Sequence, residues 1–75
     1  MPVDPYWAEL LDDCRAKRAR IVPASAMDFY VVDALGATED ALFELIDGAD
    51  FNAATETMNS RFEAAAIRHG VKDRL

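Results

Sequence analysis

Apolar side chains recur at three- and four-residue spacings in four stretches of this chain, the pattern of helices that each bury one face. In the first stretch Trp7, Leu10, Leu11, Cys14 and Ile21 mark a stripe, predicting a helix over about 5–20. Asp4 followed by Pro5 provides an N-cap with proline at the first helical position. Arg15, Lys17, Arg18 and Arg20 crowd the last turns, where cations complement the helix dipole, and Asp13 and Lys17 add an i,i+4 pair. Pro23 ends this helix by restricting the residue before it.

Ser25 with Asp28 three residues later has the logic of a capping box and opens a second helix over about 26–35. Gly36 supplies its left-handed stop. The run Phe29-Tyr30-Val31-Val32 also fits a strand at 28–33, but both end signals agree on a helix and no second strand candidate exists to pair with it. Thr38 caps a third helix over 39–47, carrying Leu42, Leu45 and Ile46 and ended by Gly48. Asp50 caps a fourth over 51–69, in which Phe51, Met58, Phe62, Ala65 and His69 follow a heptad-like stripe. Gly70 stops it, with Val71 placed for the accompanying apolar contact, and the tail Lys72–Leu75 frays.

The fold class that follows is all-α: one domain spanning 1–75, a compact bundle of three to four short helices. Its expected core is Trp7, Leu10, Leu11, Ile21, Val22, Met27, Tyr30, Val31, Leu35, Leu42, Leu45, Ile46, Phe51, Met58, Phe62 and Ile67. Phe29, Val32 and Phe43 fall off the main faces, so they are candidates for a surface that binds something. A chain of 75 residues sits near the size where one core is marginal, which leaves room for a homodimer.

Charge changes this picture. From Ile21 to Ser60 the chain carries eight carboxylates and no lysine or arginine. Residues 1–21 sum to zero, 22–60 to −8 and 61–75 to +2, giving the net −6. That balance argues against direct nucleic-acid binding, which needs a basic footprint to displace counterions. The single Cys14 excludes an intramolecular disulfide and suits a reducing cytosol. The N-terminal residues lack the basic and apolar regions of a signal peptide, and no apolar run is long enough to cross a membrane.

Chemistry-bearing constellations are few. Cys14 and His69 are the only thiol and imidazole, they fall in different helices, and no orienting third group is signalled. Asp47-Gly48-Ala49-Asp50 resembles a calcium loop only superficially, because Phe43 and Leu45 stand where ligands are needed. There is no zinc-type pair of Cys or His residues and no phosphate-cradling glycine loop. The expectation is a protein that is not an enzyme and has no metal or cofactor.

Asp28, Glu39, Asp40 and Asp50 sit at predicted caps or first turns, where the helix dipole explains them. Glu44 and Asp47 do not: Asp40 and Glu44 form a like-charge i,i+4 pair, and Asp47 lies against the negative end of its helix. Two accounts follow. In one, Arg15, Arg18, Arg61 or Arg68 crosses from the flanking helices and neutralises the acids; in the other, the acids stay bare and dock on a basic surface. The expected function is a protein-interaction module that engages a basic partner through Asp40, Glu44 and Asp47, with Phe43, Phe29 and Val32 beside them. Its sharper form is a small inhibitor that competes with nucleic acid, of the type phages and mobile elements encode. The alternative is a structural subunit or adaptor held by apolar helix packing.

Overall fold

The computed structural model describes residues 5–72, and its main departure from expectation lies at Gly36. Among these residues three helices form: α1 over Pro5–Arg20, α2 over Ala26–Ile46 and α3 over Phe51–Arg68. The chain is therefore all-α, and residues 28–33 are helix rather than strand. The segments expected at 26–35 and 39–47 are one continuous 21-residue helix. Gly36 takes a helical conformation, and among the described residues only Gly48 (φ 94°) and Gly70 (φ 72°) have positive φ. Thr38 does not cap; its hydroxyl donates back to the Ala34 carbonyl at 2.9 Å, as a mid-helix threonine does.

The reason for the fusion is angular. At about 100° per residue, Tyr30, Ala34 and Leu35 fall in the same arc as Ala37, Ala41, Leu42 and Leu45. A helix that runs through Gly36 keeps one apolar side, whereas a stop there would leave the last carbonyls unpaired. Gly36 still lowers helix stability, because glycine loses more backbone freedom than alanine does. A Cβ placed on it meets nothing within 4 Å. Gly36→Ala is therefore expected to stabilise the fold by about 0.5–1 kcal/mol, read as a higher denaturant midpoint at unchanged m-value. A lower midpoint would show that the open floor at Gly36 is needed for folding.

The other end signals form as expected. Ser25 Oγ accepts from Asp28 N, and Asp28 Oδ2 accepts from Ala24 N, a capping box displaced by one residue. Asp50 Oδ2 accepts from Ala53 N at 2.9 Å and starts α3. Gly48 and Gly70 close α2 and α3 in Schellman geometry, with Ala49 N on Glu44 O and Val71 N on Ala66 O. The Asp4 cap and the tail beyond Lys72 lie outside the described residues. Asp13 and Lys17 form no ion pair.

Helix α2 is the centre of the bundle, with α1 and α3 on its two flanks and no backbone contact between them. At one end the rings of Trp7 and Phe51 stack with centroids 6.0 Å apart. The bundle is flattened: its extents are 41 × 30 × 11 Å. The thin dimension leaves no room for two layers of helices, whose axes pack about 8–10 Å apart. The core is correspondingly slight. Among the described residues it consists of Leu11, Leu42 and five alanines (Ala37, Ala41, Ala54, Ala65, Ala66), with no large side chain fully buried. Val22, Met27 and Phe51, expected in the core, are exposed; Val22 is in the linker between α1 and α2, and Phe51 is the first residue of α3. The remaining expected core residues are half-buried.

Candidate functional site

Fusing the two predicted helices aligns every candidate residue. On the continuous α2, the residues Val32, Phe43, Phe29, Asp40 and Glu44, with Asp47 at the C-cap, fall within an arc of about 120° over roughly 27 Å of rise. Sequence spacing alone could not show this, because a stop at Gly36 would have uncoupled Phe29 and Val32 from the rest. Along this face run arginines from both flanks: Arg15 and Arg18 of α1, Arg61 and Arg68 of α3.

Those arginines meet most of the acids. Arg18 holds Glu39 through two parallel bonds, Nε to Oε2 at 2.5 Å and Nη2 to Oε1 at 2.9 Å. Arg15 Nε lies 3.8 Å from Glu39 Oε1, and its guanidinium sits 4.7 Å over the Phe43 ring. Arg61 Nη1 donates to Asp40 Oδ2 at 2.5 Å. Asp33 Oδ2 takes Arg68 Nη1 at 3.3 Å and His69 Nε2 at 2.5 Å. His69 also stacks on Phe29, with centroids 6.1 Å apart. The segregation of charge along the sequence is thus partly complementarity within one bundle.

Glu39 differs from the expectation placed on it. It is not in the first turn of a helix but deep in α2, and it is the one buried charged residue among those described, 4% exposed. A carboxylate out of water needs a hydrogen-bonded partner, and the Arg18 fork supplies it. The bond to Glu39 holds the Arg18 guanidinium above its usual range. Burial, and then the Glu39 charge, pushes the Cys14 thiol up, which keeps it protonated and a weak nucleophile. Burial in a mid-helix position gave no signal separable from the dipole argument, so sequence reasoning missed this pair.

Between Arg18, Arg61 and Arg68 lies a hollow of about 220 Å³ over Val32, Gly36, Ala64 and Ala65. Three arginines around one hollow suggest an anion site, but each is bound to a carboxylate, so the local charge is balanced. No group of three His, Cys, Asp or Glu residues is arranged to hold a metal ion among the described residues. No described helix is long and apolar enough to cross a membrane.

Two of the expected acids remain without an ion-pair partner among the described residues: Glu44 and Asp47. They border an open hollow whose other walls are Phe43 and Ile46. Asp40, expected with them, is drawn off by Arg61. Against protein-family models, curated proteins and solved structures the chain finds no match, so the site stands on its own geometry.

Proposed function

We propose that this chain is a non-enzymatic interaction module that docks a protein partner through the C-terminal end of α2. The observation that carries this is the hollow formed by Phe43, Ile46, Glu44 and Asp47, where two unpaired carboxylates flank two apolar side chains. Phe43 is 46% exposed, although it is one of the largest apolar residues available to a core that is mostly alanine. A surface of that chemistry fits a partner presenting a basic side chain beside an apolar one. The apolar contact supplies affinity, and the charges set encounter rate and orientation. With Asp40 paired to Arg61, the two remaining carboxylates make a row too short to stand in for successive phosphates, and they suit a basic protein surface better.

The test is affinity capture from the source organism with the wild-type chain and with Glu44→Lys/Asp47→Lys as paired baits. A partner retained by the wild type is expected to drop at least tenfold on the double variant, and its retention should weaken between low and moderate salt. Equal retention on both baits, insensitive to salt, would sink the proposal. It would favour instead a structural subunit held by apolar packing, a reading that the thin alanine core supports.

A further inference from the structure

Helices α1 and α3 close with cations in their last turns, Lys17, Arg18 and Arg20 in one and Arg68 in the other. Helix α2 has none there. Its carbonyl end instead carries Glu44 and Asp47, which have no ion-pair partner among the described residues. The negative end of a helix favours a cation, and the two carboxylates deepen that preference. The exposed ring of Phe43 adds the negative face of its π-system. Helix end, carboxylates and ring all favour positive charge in the same hollow.

The chain itself shows which cation this side of α2 accepts. Arg15 reaches across from α1 and lays its guanidinium 4.7 Å from the Phe43 ring centroid. One turn back, Arg18 grips Glu39 through two parallel bonds. A guanidinium on the ring, beside a guanidinium forked on a carboxylate, is the pairing already built here. It leaves acceptors over. Arg15 and Arg18 share Glu39, while the carboxylates of Glu44 and Asp47 stay unpaired and Phe43 stays 46% exposed. Two arginines thus face three carboxylates around Phe43, so negative charge is in excess. Asp47 lies one turn from both Phe43 and Glu44, which sets its Cβ about 5–6 Å from each of theirs.

Resting on the docking reading above, we infer that the basic side chain this hollow takes from its protein partner is an arginine and not a lysine. The guanidinium lies flat on the open part of the Phe43 ring, its methylene stem crosses Ile46, and its edge donates to Glu44 and Asp47. An ammonium meets the carboxylates as a point charge but lacks the flat face and the fork. It is also the more strongly hydrated cation, so it gains less by leaving water for a partly apolar hollow.

Two end-blocked peptides, Gly-Leu-Arg-Leu-Arg-Leu-Gly and Gly-Leu-Lys-Leu-Lys-Leu-Gly, titrated into the isotope-labelled full chain and followed by NMR, provide the test. The arginine peptide should shift the Phe43, Glu44 and Asp47 signals and bind about fivefold tighter than the lysine peptide, the scale of an exposed cation–π contact. Phe43→Leu should erase that preference. Equal affinity of both peptides at these residues, lost on Glu44→Lys/Asp47→Lys, overturns arginine selection and leaves the docking reading standing. A preference that survives Phe43→Leu also overturns it, because selection then arises elsewhere on the acidic chain. Should Phe43→Leu unfold, nuclear Overhauser contacts in the wild-type complex decide. They should join the arginine δ-methylene to the Phe43 ring, and their absence overturns the inference. No shift at these residues with either peptide overturns it as well, while the paired-bait capture decides the docking reading separately.

Discussion

Leu42→Ala is expected to lower the melting temperature by about 10–20 °C, the largest effect of any single truncation in this chain. Leu42 is 4% exposed, and only Leu11, at 6%, matches it among the large apolar side chains described. Truncating a buried leucine costs about 2–5 kcal/mol, the spread reflecting how far the site collapses. A flat bundle can relax inward or admit water, so the lower half of that range applies, about 2–3 kcal/mol. A domain of this length holds roughly 4–11 kcal/mol in total, so a large share goes with one side chain. Leu35, half-buried on the same helix, is the control. Thermal melts should show Leu42→Ala losing at least twice as much as Leu35→Ala. Equal losses would mean that stability is spread evenly over the α2 surface and not concentrated at its two tight leucines.

That distribution also explains what could be read in advance. Capping at Ser25, Asp28 and Asp50 and the stops at Gly48 and Gly70 are local chemistry, decided by residues within one turn, and they form as read. Gly36 is not legible in this way because glycine is ambiguous: it permits the left-handed stop but also tolerates a helix interior when flanking helices pack on either side. The same ambiguity reaches Thr38, expected as a cap, and Glu39 and Asp40, expected in a first turn, because a continuous helix offers neither place. Core membership was the least legible property. A sequence shows which side chains want burial, but a single layer has too little interior to take Val22, Met27 and Phe51. The acidic stripe was half legible. The sequence posed the choice between bare and neutralised carboxylates, and tertiary register answered it differently for each: Asp40 reaches Arg61, while Glu44 and Asp47 reach no cation among the described residues.

The second large effect is expected at the Arg18–Glu39 pair, and its value lies in an asymmetry between the partners. Arg18 is about half exposed along its side chain, whereas Glu39 shows 6%. Removing Glu39 frees a guanidinium that water can rehydrate, so Glu39→Leu should change the melting temperature by only a few degrees, with leucine gaining apolar contact. Removing Arg18 strands a carboxylate inside the helix interface. Arg15, 3.8 Å away and already engaged with Phe43, replaces only part of the fork. Arg18→Ala is therefore expected to lower the melting temperature on the order of 10 °C. Combining the two changes removes the stranded charge, and the double variant should recover to within a few degrees of wild type. Such recovery is the non-additivity expected of groups in direct contact. A double variant as unstable as Arg18→Ala alone would show that the arginine stem matters more than its charge. The same cycle bears on the docking face. Arg15 reaches both Glu39 and Phe43, so stranding Glu39 should draw Arg15 off the aromatic ring, coupling the buried pair to the surface that Phe43 presents.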